Sequence, residues 1–232
     1  MKAPKRAICL AIAFSTFLFA CSPTQQAYQQ NVKLYFSSNK DVILPNDRIA
    51  DSSADLIYVK NGERPVVTMA LAFIEDGQYK WLSRDDAMII TDHGRIARMV
   101  GFKKNLLYVS NIHSDPIQFG AQMPQHSSQW ARKIDTDLGD IGVALKSVID
   151  KTEDISVTIQ GIEFSTVKLE EHVSYNSSVH GQQSWSNTFW FESNTGQLIK
   201  SSQMLAPNID RLDISYVSRA LRIISKSNKE GS

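Results

Sequence analysis

Cysteine is nearly missing from this chain of 232 residues: it has two, Cys9 and Cys21, both at the amino-terminal end. The rest of the sequence therefore has no disulfide framework, no thiolate nucleophile and no cysteine-ligated metal. Charge of one sign is lacking too. Lys and Arg number 25 against 24 Asp and Glu, a formal net charge of +1. Such a balance argues against nucleic acid or anionic surfaces as the main partner. No apolar run is long enough to span a bilayer. The longest, Ala7 to Ala20, holds 14 residues. As a helix it would rise roughly 21 Å, short of the ~30 Å hydrocarbon core. No G-x-S-x-G, P-loop or G-x-G-x-x-G motif occurs, and no internal repeat stands out.

What is present begins with that short apolar run. Lys2, Lys5 and Arg6 precede it and small residues close it, the pattern of a secretory signal peptide over residues 1–20. Its end, Leu18-Phe19-Ala20-Cys21, resembles a bacterial lipobox. That resemblance implies a diacylglyceryl group on the Cys21 thiol, cleavage before it, and acylation of the new amino terminus. Several acyl chains together give stable anchoring. Ser22 in place of Asp after the cysteine implies the outer membrane, with the protein facing the periplasm. Cleavage leaves 212 residues and moves the formal charge to −2.

Residues 21–31 are polar and Gln-rich and read as an acylated tether, leading into a short helix that ends near Ser37. The texture then turns to β-branched and aromatic runs broken by Asn61-Gly62, Asp76-Gly77 and His93-Gly94. Xaa-Gly pairs between alternating runs signal hairpins, because glycine accepts the positive φ of a tight turn. Strands are expected near 55–60, 65–74, 78–83, 87–92, 95–100 and 105–110, in an antiparallel meander. Residues 111–137 break the rhythm with two prolines and read as a partly helical insertion. Strand texture resumes at Ile155 and runs to Ile224, with a further turn at Asn194-Thr195-Gly196. One mainly β domain over 32–224 is expected, followed by a disordered tail at 225–232.

Two blocks then carry a family resemblance. Trp81-Leu82-Ser83, Asp85 or Asp86, Gly94-Arg95-Ile96, Arg98 and Gly101 form the first; "NTFWFESNTGQLIKSSQMLAPN", residues 187–208, forms the second. Their order and spacing, behind a lipobox, resemble the YjbF (GfcB) family of group 4 capsule and exopolysaccharide lipoproteins. The resemblance implies a single large β-meander curved into a half-barrel and a role beside secreted polysaccharide. It brings no catalytic residues with it.

Chemistry is sparse. His93 beside Asp92 and Arg95 invites a general-base reading, but an Asp-His-Gly turn explains it on backbone grounds. His113, His126, His172 and His180 have no metal-ligand spacing, so neither a metal nor a cofactor is expected. Among Glu75, Asp76, Asp85, Asp86, Glu163, Glu170 and Glu171, the adjacent Asp85 and Asp86 would point to opposite faces of a strand, unsuited to a glycosidase pair. Aromatic residues are the better lead. Tyr79 and Trp81 share one strand face, Phe189 and Phe191 another, with Trp190 opposite and Trp185 upstream. Flat rings stack on sugar C–H faces while nearby polar groups bond hydroxyls. Trp81, Arg95, Arg98, Trp185 and Trp190 are therefore the candidate contacts to glycan or export proteins, with Trp185 and Trp190 expected to be exposed. Either arginine is a candidate to pair with Asp86 or Asp92.

The leading expectation is a non-enzymatic outer-membrane lipoprotein accessory to exopolysaccharide or capsule production. An apolar concave sheet would favour a lipid or lipoprotein carrier instead. Two facing carboxylates in a groove would favour a glycan-modifying hydrolase.

Overall fold

The computed structural model describes residues 41–124, 127–177 and 181–230. The lipobox, the tether and the helix expected before Ser37 lie outside them. The elements are α1 (Asn46–Ala50), β1 (Leu56–Asn61), β2 (Val67–Glu75), β3 (Gln78–Leu82), β4 (Met88–Asp92), β5 (Arg95–Val100) and β6 (Leu106–Val109), then two 3-10 segments (Ile112–Ser114 and Pro116–Gln122). There follow β7 (Ser128–Thr136), β8 (Val143–Ile159), β9 (Ile162–Ser177), β10 (Gly181–Glu192), β11 (Leu198–Gln203), β12 (Leu212–Ser215) and α2 (Val217–Glu230).

The strands obey the two-residue period that a half-buried sheet requires. In β7, Trp130, Arg132, Ile134 and Thr136 are buried while Gln129, Ala131 and Lys133 are exposed. Tight turns follow from residue type. Asp76-Gly77, His93-Gly94 and Gln160-Gly161 each carry positive φ at both residues, as a two-residue hairpin loop of type I′ demands. At Gly94 space also matters: a Cβ there would lie 2.1 Å from Leu198 Cδ2.

Among the described residues, 12 strands form one antiparallel sheet in the order β5-β4-β3-β2-β1-β12-β11-β10-β9-β8-β7-β6. The order is a plain meander whose first and last strands, β1 and β12, pair. Its open edges are β5 and β6, successive in sequence and adjacent in space, so the sheet curls past a half-barrel and is nearly closed. Near-closure removes most of the free edge that an open sheet would leave to aggregate. The interior is packed: Ile57, Met69, Trp81, Ile89, Met99, Leu145, Leu169, Phe189 and Ile214 are among its buried side chains.

Segments outside the strands pack around the β1–β12 pair. The long β8–β9 hairpin bends at a register shift between Thr152 and Ile155. At its tip, Gln160 Nε2 donates to Leu44 O at 3.0 Å, while Leu44 N donates to Tyr58 Oη at 2.6 Å. Helix α2 is fixed to β1, Leu56 N donating to Ser218 Oγ at 2.9 Å.

Three expectations change. The stretch after Tyr216, read as strand and then disordered tail, is helix from Val217 to Glu230, with Val217 and Ala220 buried. The 111–137 insertion is partly 3-10 but ends sooner, because Ser128–Thr136 is a full strand of the barrel. The region before Ile155, left unassigned, is the first part of a 17-residue strand.

Candidate functional site

Inside the barrel sits a polar cluster. Glu171, at 0% exposure, projects inward from β9 between Leu169 and Val173. Its Oε2 accepts from Arg95 Nη1 at 2.5 Å and Asn187 Nδ2 at 2.8 Å, and its Oε1 accepts from Arg132 Nη1 at 2.9 Å. Arg95 also grips Asp115, through Nε at 2.7 Å and Nη2 at 3.3 Å. The guanidinium groups stack on rings: Arg95 lies 4.8 Å from the Trp130 centroid and 4.9 Å from that of Phe189, and Arg132 lies 4.3 Å from Trp130.

Two arginines and two carboxylates leave the cluster formally neutral, which makes burial tolerable. Burial alone would raise the Glu171 pKa, but Arg95 and Arg132 outweigh it and hold the group down at about 2. Burial works against the charged form of Arg95 as well; two carboxylates overcome it and its pKa is raised. Arg132 has only a shared carboxylate and faces the Arg95 charge, so burial prevails and its pKa is lowered. This is a structural charge cluster sealed from solvent, not an acid–base pair open to substrate.

Its second role is to close the seam. Asp115 caps the Pro116–Gln122 segment, its Oδ1 accepting from Ile117 N at 3.0 Å, so the Arg95 pair pins the insertion to the barrel. Gln203 reaches across from β11: its Oε1 accepts from Ile96 N at 3.1 Å, and its Nε2 donates to Gly94 O at 2.9 Å. A side-chain amide thus takes the place of a neighbouring strand at the β5 edge. The quoted sequence blocks supply these parts. Arg95, Asn187 and Gln203 meet here; Ser83 locks the β3–β4 turn, accepting from Ala87 N at 3.0 Å and donating to Asp85 at 2.9 Å. Glu192 clamps the β10–β11 turn, accepting from Thr195 N at 2.7 Å.

The candidate contact residues are not brought together. Trp81, 1% exposed, is a core residue whose Nε1 donates to Thr91 Oγ1 at 3.1 Å. Arg95, 2% exposed, pairs with Asp115 and Glu171 and not with Asp86 or Asp92. Neither has a surface to offer a glycan. Arg98 is exposed. Trp185 and Trp190, expected to be exposed, are each half-buried. Trp185 packs on the core side and donates to Met204 O at 2.7 Å, whereas Trp190 lies outside with Lys200 5.3 Å from its ring. His93 is a turn residue at φ 47, Asp85 and Asp86 are exposed in the β3–β4 turn, and His126 and His180 lie outside the described residues. Among the described residues no group of three His, Cys, Asp or Glu could hold a metal ion.

Sequence reasoning missed Asp115, Arg132 and Glu171 as one cluster. Period two was the available signal, since Leu169, Glu171 and Val173 share a face, as do Trp130, Arg132 and Ile134.

Two open clefts mark the barrel ends. One, of about 700 Å³, lies among the β1–β2, β3–β4 and β5–β6 connections; it is mainly apolar, with Arg64, Arg84 and Lys103 at its rim. The other, of about 510 Å³, lies among the β2–β3, β4–β5 and β10–β11 turns, the Pro116–Gln122 segment and the start of α2.

With that architecture in place, the comparisons decide the family. Residues 29–217 match the family described as group 4 capsule polysaccharide lipoprotein gfcB, YjbF. The chain belongs to the YjbF family. Among YjbF-family relatives, the Escherichia coli (strain K12) lipoprotein GfcB is 29% identical over 209 residues, covering 89% of this chain and 96% of that one. The lipoprotein YjbF of the same organism is 29% identical over 196 residues, covering 84% and 89%. A crystal structure of the hypothetical lipoprotein YmcC from Escherichia coli (K12) superposes with a TM-score of 0.72 at 25% identity, over 84% of this chain and 95% of that one. The nearly closed meander is therefore shared with a solved protein.

Proposed function

We propose that this protein is a non-enzymatic outer-membrane lipoprotein, acylated at Cys21 and facing the periplasm, that assists the production or export of capsule polysaccharide. Membership of the YjbF family carries the reading, and the lipobox supports the anchor. The relatives GfcB and YjbF are lipoproteins by name. The carboxylate most perturbed from its ordinary range, Glu171, is spent on two arginines inside the barrel, which favours a binding role over hydrolysis. The concave face is filled by the protein's own side chains, which speaks against an acyl-chain carrier built on it. The partner is the polysaccharide or its export proteins, met at the barrel surface, where Arg98 and Trp190 remain open to contact.

The test is the polysaccharide itself. Deleting the gene should lower the surface-bound and secreted polymer, and a plasmid copy should restore it. An unchanged amount of polymer, or polymer of altered sugar composition, would overturn the reading.

A further inference from the structure

We infer that the 510 Å³ cleft at the end of the barrel bounded by the His93-Gly94 turn is a saccharide-binding site. The inference rests on the reading above that this lipoprotein serves polysaccharide. Its volume falls in the roughly 300–1,000 Å³ range of small-ligand sites.

The lining has the two textures a sugar ring needs. A pyranose offers flat C–H faces and a hydroxyl-studded edge, so its site combines ring surfaces with neutral donors and acceptors. Tyr79 supplies one ring, half-buried and held parallel to the fixed Trp81 at 6.1 Å between centroids and 16° between planes. Phe119 supplies another. It is 56% exposed, on a segment anchored through Asp115 to Arg95 and so held in place, and nothing in the fold calls for a phenyl ring in solvent there. The hydrogen-bonding groups are the Thr195 hydroxyl, fixed by Glu192 at 2.6 Å, the His93 ring, 58% exposed, and Gln122.

Other ligand classes fit less well. The cationic side chain in the lining, Arg219, is already engaged with Leu198 O at 2.6 Å and with the Tyr216 ring. A phosphate would have to compete with both contacts for this one cation. An acyl chain would bury the exposed Gln122 amide and the second ring nitrogen of His93 against hydrocarbon.

The probe is a set of oligosaccharides made by partial hydrolysis of the capsule polysaccharide of the source bacterium, with dextran as control. They are titrated by calorimetry against the full-length lipoprotein in detergent. Saturable binding is expected, weakened at least tenfold by Phe119→Ala with the thermal midpoint unchanged, and unaffected by Tyr108→Ala, an exposed ring outside the cleft. Absence of saturable binding would overturn the inference, as would binding indifferent to Phe119→Ala or lost in Tyr108→Ala. The two claims separate cleanly. Failure to bind with capsule lost on gene deletion removes the site alone; binding with capsule unchanged on deletion removes the functional reading alone.

Discussion

Replacing Glu171 by Gln keeps the shape of the side chain and removes its charge, and the consequences can be worked from the cluster. Arg95 keeps Asp115, but Arg132 loses the one carboxylate it contacts among the described residues, at 2.9 Å, while staying buried. Breaking a buried pair from one side costs about 3–5 kcal/mol, a large part of the roughly 5–15 kcal/mol that holds a typical domain together. The acid dependence gives a second figure for the same carboxylate. Glu171 is held at about 2, against an ordinary 4.5. Its folded value lies below its unfolded one, so its contribution is complete above 4.5 and is lost as pH falls towards 2. At about 1.4 kcal/mol per unit, that contribution is about 3 kcal/mol. Urea unfolding followed by tryptophan fluorescence, near neutrality and again in acid, measures both quantities. Glu171→Gln should be less stable by about 3–5 kcal/mol at neutrality, and it should lose less than the wild type on acidification. A variant within about 1 kcal/mol of wild type at neutrality, or one that loses as much in acid, would refute the assignment of Glu171 as the keystone of the interior.

Three further outcomes are expected. Gln203→Ala orphans Ile96 N and Gly94 O at the seam; at about 1–3 kcal/mol for each group, stability should fall, and hydrogen exchange at the Ile96 amide should rise most. Gly101→Ala places a Cβ 2.9 Å from Ala87 Cα at φ +84, so the thermal midpoint should drop by an amount equivalent to about 1–3 kcal/mol. Cys21→Ser should abolish acylation by mass spectrometry and move the protein from the membrane to the soluble fraction; undiminished membrane association would contradict the anchor.

Much of the barrel was legible because its information is local. Asp76-Gly77 and His93-Gly94 announce hairpins through backbone geometry alone, and β2 to β5 fall close to where alternation puts them. The parts that were not legible depend on distant partners. Ser128–Thr136 alternates well, but its inward positions include Arg132, whose burial makes sense only once Glu171 lies across from it. The helix starts one residue after β12, and Val217, Ala220, Leu221 and Ile224 carry helical apolar spacing, but that signal is masked by the strand texture running into it from Leu212 to Ser215. Trp81 and Arg95 were singled out as candidate contacts, and the structure buries both. A buried tryptophan and a buried arginine mark architecture as readily as they mark a binding surface. Phe119, by contrast, lay in the stretch with the weakest pattern, and only the anchored insertion shows that its ring stands in a cleft.

The most direct measurement of the functional claim is the distribution of polysaccharide between cell surface and periplasm in a strain lacking this gene. The account predicts that surface polymer is lost while the sugar composition of whatever polymer remains is unaltered, and that a plasmid copy restores it. Full surface polymer in the deletion strain, or polymer of altered sugar composition, would contradict a non-enzymatic accessory role.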